Sequence, residues 1–345
     1  MTRRAWLILP GKNTSYAQED APNRGEAMQR VLVTGAGGFI GHHLVTRLKK
    51  EGYWVRGTDI AAPEFAESDA DEFEILDLRR WDSCLQATRG IEQVYALAAD
   101  MGGMGFISGN HARILHNNAL INLHTLHAAV LNGVSRYFYS SSACVYPEYR
   151  QLDEDVVPLR EEDAFPAAPQ DAYGWEKLVT ELLCGYYAAD HEIETRVLRF
   201  HNVYGPLGAY EGGREKAPAA LCRKIALVED GGEIEVWGDG KQTRSFCFVD
   251  DCVEGIMRTM RSSFRDPLNM GTDHLVSIDE LAHIILELSG KRGVRIRHVP
   301  GPQGVRGRNS DNSRLVATLG WQPQTTLQEG LAITYSWIRE LVSGW

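Results

Sequence analysis

A glycine-rich turn between a strand-like run and a helix-like run sets the strictest limit on how this 345-residue chain can fold. Residues 35–41 read GAGGFIG, follow the apolar run RVLVT at Arg30–Thr34, and lead into an amphipathic helix predicted over residues 41–51. Glycine permits so sharp a turn, and the helix N-terminus directly after it offers free backbone N–H groups to a phosphate. A glycine triplet is a weak signal alone, but with these flanks it predicts a nucleotide-binding turn.

Strand-like and helix-like segments alternate up to about residue 203. Strands are predicted at residues 30–34, 54–59, 74–77, 93–98, 136–140 and 194–200. Helices are predicted at residues 41–51, 111–131 and 171–189 and, in a less regular C-terminal part, near residues 218–228, 278–288 and 327–342. This alternation is typical of a parallel sheet covered on both faces. We therefore expect an α/β fold, a Rossmann-type doubly wound parallel sheet with a smaller C-terminal substrate-binding lobe.

An acidic residue ends the second predicted strand and points to the identity of the nucleotide. Asp59 stands where a carboxylate can hold the adenosine ribose hydroxyls of a dinucleotide. A carboxylate there repels a 2′-phosphate, so NAD is favoured over NADP. Asp77 is predicted to contact the adenine side, with an ordinary surface carboxylate as the alternative. The predicted NAD-binding residues are Gly35, Gly38, Phe39, Ile40, Gly41, Asp59 and Asp77, together with Tyr173 and Lys177.

The composition excludes several classes of protein. With 36 Lys and Arg against 46 Asp and Glu, the net charge of −10 argues against a nucleic-acid or membrane-surface partner. Six scattered cysteines without a Cys-x-x-Cys pair predict a reduced chain with no disulfide framework and no metal site. No apolar run is long enough for a membrane span or a signal-peptide core. We therefore expect a cytoplasmic protein.

The same patterns divide the chain into two lobes. Residues 1–28 are polar and aperiodic at their centre and are predicted to be a disordered extension. Residues 29–203 are predicted to form the NAD-binding Rossmann domain, with residues 242–265 returning to it. Residues 204–241 and 266–345 are predicted to form the nucleotide-sugar-binding lobe.

A second motif predicts redox chemistry at an alcohol. Tyr173 and Lys177 stand four residues apart and therefore share one face of a helix. The lysine ammonium is expected to lower the pKa of the phenol, and Ser142, at the end of a Ser-rich strand, can hydrogen-bond the same substrate oxygen. Together these groups can take the hydroxyl proton while a nicotinamide takes the hydride. An ordinary exposed Tyr–Lys pair is the alternative, but it would not follow a dinucleotide turn.

These motifs resemble the extended short-chain dehydrogenase/reductases that act on nucleotide sugars, and longer strings narrow the resemblance. From about residue 30 to the C-terminus the chain resembles the GDP-mannose 3,5-epimerases. The strings that carry this resemblance are AADMGGMGF (98–106), PQDAYG (169–174), GGREKAPAA (212–220), WGDGKQTRSF (237–246) and GVRGRNSDN (304–312), together with Cys144. The resemblance implies conversion of GDP-α-D-mannose to GDP-β-L-galactose, with GDP-L-gulose as a side product and NAD recycled in each turnover. It also implies a homodimer formed by the helices near residues 111–131 and 171–189.

The resemblance assigns roles to individual residues. Tyr173, Lys177 and Ser142 would oxidise and later reduce C4 of the hexose, and Cys144 and Lys216 would be the acid/base pair that inverts C5 and C3. Of the two arginines in their motif, Arg308 is favoured over Arg306 for nucleotide-sugar contact, and a structural ion pair is the alternative role for Arg306. The residues implied in binding GDP-mannose or a related GDP-sugar are Gly102, Ser142, Ala143, Cys144, Asn202, Glu215, Lys216, Ala217, Lys224, Gln242, Thr243, Arg244 and Arg308.

Three other functions stay open at this point. A nucleotide-sugar 4-epimerase shares the C4 oxidation but needs no second acid/base pair such as Cys144 and Lys216. A 4,6-dehydratase would require an Asp-Glu pair after the Ser-rich strand, where this chain has Ala143, Cys144 and Val145. A catalytically silent NAD-binding scaffold is disfavoured because the Ser, Tyr and Lys set is complete.

Overall fold

The computed structural model describes residues 28–344, so the predicted extension lies outside the described residues except for Met28. The strands are β1 (Arg30–Thr34), β2 (Trp54–Asp59), β3 (Glu72–Ile75), β4 (Gln93–Ala96), β5 (Arg136–Ser142), β6 (Glu194–Phe200), β7 (Val203–Tyr204), β8 (Glu233–Trp237), β9 (Thr243–Ser245), β10 (Cys247–Phe248), β11 (Leu268–Met270), β12 (Leu275–Ser277), β13 (Arg295–Val299) and β14 (Gly307–Arg308). The α-helices are α1 (Phe39–Lys50), α2 (Trp81–Thr88), α3 (Met104–Ile107), α4 (His111–Leu131), α5 (Ala172–Asp190), α6 (Ala217–Leu227), α7 (Val249–Arg261), α8 (Ile278–Ser289), α9 (Ser313–Leu319) and α10 (Leu327–Ser343). None of the helices between residues 28 and 344 is both long enough and apolar enough to span a membrane.

A parallel sheet forms the larger lobe and confirms the predicted fold class. Within the described residues, seven strands form this sheet in the order β11-β6-β5-β4-β1-β2-β3. Every neighbouring pair in it is parallel. The strand order reverses between β1 and β4, and ligands of doubly wound sheets bind at the carboxyl ends of the strands at such a reversal. The glycine turn lies at this point, directly after β1.

Both faces of the sheet are buried, which explains why β1 is apolar throughout. Val31 and Val33 face one core, which includes residues of α1 and α7. Leu32 points to the opposite core, which includes residues of α2, α4 and α5. Alternate side chains of a strand point to opposite faces, so a strand covered on both sides needs a continuous apolar run.

Two short strands pair with other partners than the predicted domain boundaries suggest. β9, in the segment expected to return to the sheet domain, pairs with β12 and β14 of the smaller lobe. β11, in the segment assigned to that lobe, pairs instead with β6 in the central sheet. Strands of two or three residues show no hydrophobic period, so no sequence pattern indicates the sheet to which they belong. The two-lobe division itself stays a prediction.

A buried ion pair connects β5, β6 and α5 beneath the carboxyl edge of the sheet. Arg199 on β6 donates to both carboxylate oxygens of Glu181 on α5, at 2.9 and 2.7 Å. The side chains are 3% and 4% exposed. Ser141 on β5 donates to the same carboxylate. The pair therefore fixes the strand and the helix that carry Ser142 and Tyr173.

Replacing Arg199 with Met is expected to lower the free energy of unfolding by about 3–5 kcal/mol, because Glu181 would keep a buried charge without its counter-ion. Urea denaturation followed by circular dichroism measures this difference. Arg297→Met is the matched control, since Arg297 pairs with Glu233 and Glu235 on the surface. Loss of an exposed pair should change the free energy by only about 0–1 kcal/mol. Equal effects of the two variants would contradict the expectation.

Candidate active site

A cavity of about 1030 Å³ lies between the carboxyl edge of the sheet and the smaller lobe. Its lining brings together residues that are far apart in sequence, and every predicted site residue lines it except Thr243. These residues are Gly35, Gly38, Phe39, Ile40, Gly41, Asp59, Asp77, Gly102, Ser142, Ala143, Cys144, Tyr173, Lys177, Asn202, Glu215, Lys216, Ala217, Lys224, Gln242, Arg244 and Arg308. The volume is large enough for an extended ligand, since typical small-molecule pockets measure about 300–1,000 Å³.

The glycine turn leaves no room for side chains. A Cβ on Gly41 would lie 2.0 Å from the carbonyl oxygen of Gly35, and Gly35 itself has a φ of +71°. Gly38 is the N-cap of α1 and has no side chain to satisfy the first N–H groups of the helix. Backbone N–H groups that no side chain covers, at a helix N-terminus, can bind a pyrophosphate. The turn can therefore hold a dinucleotide, as predicted.

Two carboxylates border the same end of the cavity. Asp59 accepts hydrogen bonds from the backbone N–H groups of Gly37, at 3.0 Å, and Ile60, at 2.7 Å. Burial raises the pKa of Asp59 above its ordinary value, although these N–H donors oppose the shift. Asp77 is paired with Arg79 at 2.7 Å, and this hydrogen bond lowers the pKa of Asp77. Asp59 therefore lies next to the glycine turn, where a ribose would lie.

Tyr173 and Lys177 lie on one face of α5, and both side chains are buried. Lys177 Nζ lies 5.6 Å from the centre of the Tyr173 ring and donates to the carbonyl oxygen of Ser140 at 2.8 Å. Ser142 lines the same cavity, and its Oγ accepts a hydrogen bond from the N–H of Cys144 at 3.2 Å. The structure thus brings the three predicted side chains to one cavity.

In the protein by itself, burial is the dominant influence on the pKa of the phenol. Burial raises the pKa of Tyr173 well above its ordinary value and lowers the pKa of Lys177. Desolvation disfavours the charged form of each group. The effect of Lys177 on the phenol therefore stays a prediction for the enzyme with its ligands bound.

Cys144 has a cationic neighbour. Arg308 donates from Nη1 to Cys144 Sγ at 3.3 Å and from Nε to Gln151 Oε1 at 2.6 Å. Gln151 is fully buried and fixed by its own hydrogen bonds to the carbonyl oxygens of Tyr146 and Pro147. The positive charge that a nucleophilic or basic thiolate requires is therefore provided by Arg308.

Lys216 is the N-cap residue of α6 in the smaller lobe, and its side chain reaches the same cavity as Cys144. Burial lowers the pKa of Lys216 below its ordinary value. Between residues 28 and 344 its ammonium group has no hydrogen-bond or ion-pair partner. A desolvated lysine with an unoccupied ammonium group can exchange a proton with a bound molecule more readily than a surface lysine.

Further cations line the cavity without a neutralising acid. Arg244 donates to the backbone carbonyl oxygens of Thr243 and Val305, each at 2.7 Å. Burial, followed by the charge of Arg308, lowers the pKa of Arg244 to about 9. In the part of the chain that the structure describes, neither arginine is paired with a carboxylate. Arg244 and Arg308 together are suited to the diphosphate of a nucleotide, because a guanidinium group can bind a phosphate through two hydrogen bonds.

Two amide side chains are held by the backbone beside these arginines. Gln242 donates to the carbonyl oxygen of Trp237 at 2.9 Å, and its buried Oε1 has no partner within the described chain. Asn202, with a φ of +44°, donates to the carbonyl oxygen of Ser245 at 2.8 Å. An orphaned buried acceptor such as Gln242 Oε1 is expected to accept a hydrogen bond from a ligand.

Thr243 and Arg306 are absent from the residues that line the cavity. Thr243 points away from the cavity and donates to the carbonyl oxygen of Glu154, because alternate residues of β9 face opposite sides. Arg306 pairs with Asp239 at 2.8 Å and with Glu154, as expected for a structural ion pair.

Three residues beside the site escaped the sequence analysis: Gln151, Asp100 and Arg214. Asp100 and Arg214 fall within the strings that carry the family resemblance, which was the available signal for them. Gln151 belongs to no pattern, and only its contact with Arg308 reveals it.

Replacing Gly41 with Ala is expected to weaken dinucleotide binding, because the new methyl group would overlap the Gly35 carbonyl oxygen. Overpacking of this kind costs about 1–3 kcal/mol, which corresponds to roughly a 5- to 150-fold loss of affinity. Titration of the cofactor-free protein by calorimetry measures the change. Gly344→Ala is the control, since that position has a negative φ and lies far from the turn. Unchanged affinity in Gly41→Ala would contradict the assignment.

Comparison with known proteins agrees with this geometry. A model of the NAD-dependent epimerase/dehydratase family matches residues 31–271. The chain is 52% identical over 315 residues to the GDP-mannose 3,5-epimerase of Arabidopsis thaliana, covering 91% of this chain and 83% of that relative. It is 54% identical to GDP-mannose 3,5-epimerase 1 of Oryza sativa subsp. japonica, with coverage of 91% and 82%.

A solved structure is also similar over the whole fold. The UDP-glucose 4-epimerase of Thermus thermophilus, in complex with NAD, has a TM-score of 0.78 and 25% identity, covering 90% of this chain and 99% of that one. The glycine turn, Asp59 and the Tyr173–Lys177 pair provide the site that such a cofactor needs. The chain therefore belongs to the NAD-dependent epimerase/dehydratase family, with NAD as its cofactor, and within that family it groups with the GDP-mannose 3,5-epimerases.

Proposed function

We propose that this enzyme converts GDP-α-D-mannose to GDP-β-L-galactose, with GDP-L-gulose as a side product. One observation carries the proposal: Cys144 and Lys216, from two different lobes, line the same cavity as the alcohol-oxidising set Tyr173, Lys177 and Ser142. Two acid/base groups of different origin beside one oxidation centre are what inversion at a carbon requires. The relatives that carry the 3,5-epimerase name support the same reaction.

The chemistry begins at C4 because the hydrogens at C3 and C5 are otherwise too weakly acidic for a side chain to remove. A ketone at C4 makes both C–H bonds adjacent to a carbonyl, so that each can ionise to an enolate. Held by the glycine turn and Asp59, NAD would supply reversible hydride transfer at C4 and a positively charged ring in the cleft. No net oxidation results, and only the configuration of the sugar changes.

Tyr173 and its neighbours transfer the proton of the C4 hydroxyl group. Ser142 and Tyr173 line the same cavity, so both hydroxyl groups can contact one substrate oxygen. Tyr173 takes the hydroxyl proton during oxidation and returns it during reduction. Lys177, held by the carbonyl oxygen of Ser140, keeps a positive charge close to the phenol ring and stabilises the phenolate.

Cys144 and Lys216 exchange the protons at carbon. One of the two removes a proton from one face of the keto sugar, and the other delivers a proton to the opposite face. Arg308 stabilises a negative charge on Cys144, and burial favours a neutral amine on Lys216. Either group can therefore act as the base, and the assignment at each carbon stays open.

The remaining cations are suited to hold the nucleotide. Arg244 and Arg308 would bind the diphosphate, and Lys224, which donates to the carbonyl oxygen of Glu235 at 2.7 Å, lies on the same wall of the cavity. Gln242 Oε1 would accept a hydrogen bond from the substrate. We include Gly102, Ala143, Asn202, Glu215 and Ala217 in the substrate site because they line the same cavity.

The proposal is tested by incubating the holoenzyme with GDP-mannose in D₂O and following the sugar by NMR. Deuterium is expected at both C3 and C5, with galacto and gulo products. A simple 4-epimerase would give a talo product without deuterium at carbon, and a 4,6-dehydratase would give a 6-deoxy-4-keto sugar. Either result, or no reaction, would refute the 3,5-epimerase proposal.

Cys144→Ala and Lys216→Ala are expected to slow deuterium exchange by about 10²- to 10⁴-fold, the usual contribution of a positioned acid or base. Formation of reduced cofactor should persist in both variants, because Tyr173 remains intact. Cys84→Ala is the control, since Cys84 is buried in the core between α2 and the sheet. Rapid exchange in either active-site variant would remove that residue from the proposed pair.

We further propose that the enzyme is a homodimer and works in the cytoplasm. α4 and α5 lie side by side and expose large apolar side chains to solvent, at Leu115, Leu123, Trp175, Val179, Leu182 and Tyr186. A second copy of these two helices would cover them in a four-helix interface. The free thiols of all six cysteines are compatible with the reducing cytoplasm.

Tyr186→Glu is expected to convert the dimer to a monomer, because it places a charge within this apolar surface. Tyr186 is 66% exposed in the single chain. Sedimentation velocity gives the mass in solution. Tyr149→Glu, at an exposed tyrosine outside α4 and α5, should leave the mass of the dimer unchanged. A monomeric parent protein would refute the proposed interface.

A further inference from the structure

The two lobes touch each other beside the cavity through two loops. The first is the glycine-rich loop, residues 101–109 of the sheet domain, and the second is the Lys216 loop, residues 212–216 of the smaller lobe. The N–H of Gly103 donates to the carbonyl oxygen of Arg214 at 3.0 Å. A Cβ on Gly103 would lie 2.3 Å from the carbonyl oxygen of Glu215. Backbone therefore lies directly on backbone, which requires glycine in the first loop.

The side chain of Arg214 crosses from the smaller lobe to the sheet domain. It donates from Nη2 to Asp100 Oδ1 at 3.1 Å and from Nη1 to the carbonyl oxygen of Met101 at 2.9 Å. The guanidinium also lies 4.0 Å from the centre of the Phe106 ring. All of these partners belong to the other lobe, so this one side chain makes a charged, a polar and an aromatic contact across the cleft.

Asp100 is anchored independently of Arg214. Its Oδ2 accepts hydrogen bonds from Arg113 and Asn117 of α4, each at 2.8 Å, and its own N–H donates to Asn118 at 2.6 Å. Burial would raise the pKa of Asp100, but the hydrogen bonds from Asn117, Arg113 and Arg214 lower it below its ordinary value. Asp100 is therefore a fixed, ionised attachment point for the guanidinium.

The Lys216 loop has little else to hold it on its N-terminal side. Gly212 and Gly213 have φ values of +83° and +84°, and no described atom lies within 4 Å of the position of a Cβ on either. The N–H of Gly213 donates to Glu215 Oε2 at 2.7 Å, and this contact lies within the loop itself, so it does not attach the loop to the sheet domain. α6 fixes the C-terminal end of the loop, and Arg214 fixes the other end.

We propose that Arg214 is a positioning residue for proton transfer: its ion pair with Asp100 holds the Lys216 loop on the glycine-rich loop and so fixes where Lys216 Nζ lies in the cavity. The proposal rests on the proposed function, in which Lys216 is one of the two acid/base groups. Lys216 has no partner between residues 28 and 344 that could hold its ammonium group in place. A displacement of about 1 Å in an active site can cost roughly 10²-fold in rate.

The first test compares two half-reactions in Arg214→Met holoenzyme supplied with GDP-mannose in D₂O. Deuterium incorporation at C3 and C5 is expected to fall by about 10- to 100-fold, as for a displaced acid/base group. Formation of reduced cofactor, followed by its absorbance, is expected to change by less than about threefold, because the groups that move the C4 proton all belong to the sheet domain. An equal loss in both half-reactions would overturn the proposal, as would undiminished deuterium incorporation.

The second test measures the position of Lys216 directly, by reductive methylation of the holoenzyme without sugar and peptide mass spectrometry. Lys177, which is 1% exposed in the sheet domain, is the internal reference. In Arg214→Met the ratio of Lys216 to Lys177 methylation is expected to rise about tenfold, since opening a loop by the loss of one charge-assisted contact shifts its equilibrium by this order. General loosening of the protein would raise both rates equally and overturn the proposal.

Two further variants complete the design. Arg113→Met removes another donor from the same carboxylate but from within the sheet domain, so the methylation ratio should stay at the value of the parent protein. Arg214→Lys keeps a positive charge and should recover part of the lost deuterium exchange. If Arg214→Met fails to fold, the exchange rate and the methylation ratio of Arg214→Lys, both expected to be intermediate, provide the test instead. If the parent enzyme itself incorporates no deuterium, the proposed function fails, whereas the methylation ratio still decides whether Arg214 holds the loop.

Discussion

Four cationic side chains, Lys177, Lys216, Arg244 and Arg308, meet in one cavity of a chain whose net charge is −10, and none has a carboxylate partner among residues 28–344. Desolvating unpaired cations is unfavourable, and it lowers the pKa values of Lys177, Lys216 and Arg244. The burial of apolar side chains in the two cores offsets this cost in folding free energy. This arrangement suits a reaction whose substrate brings a diphosphate and whose intermediates carry negative charge on oxygen.

The fold places these cations by means of structures outside the cavity. The Arg199–Glu181 pair fixes β5, β6 and α5, the elements that bring Ser142 and Tyr173 to the same cavity. Lys216 and Arg244 belong to the smaller lobe, and contacts between the lobes decide how they face Cys144. In the proposed mechanism, chemistry at C4 therefore depends on the sheet domain alone, whereas chemistry at C3 and C5 depends on the relation between two lobes.

The sequence alone predicts the position of a residue correctly where local geometry determines the motif. The glycine turn, Asp59 and the Tyr173–Lys177 spacing lie where they were predicted, because each depends on a strand end or a helix turn. The sheet assignment of β9 and β11 and the orientation of Thr243 could not be predicted, because a three-residue strand has no readable period. The raised pKa of Tyr173 depends on burial by distant residues, and the partners of Asp100 and Arg308 are brought close only by the tertiary fold.

The unpaired arginines also link the folding stability of the enzyme to its ligand. Arg244 and Arg308 repel each other, and a bound nucleotide diphosphate would neutralise that repulsion in the folded state alone. At a ligand concentration 100 times its dissociation constant, such linkage adds about 2.7 kcal/mol to the free energy of unfolding. A cell that is depleted of sugar nucleotides would thus hold a less heat-tolerant enzyme, and its abundance would follow the supply of its own substrate.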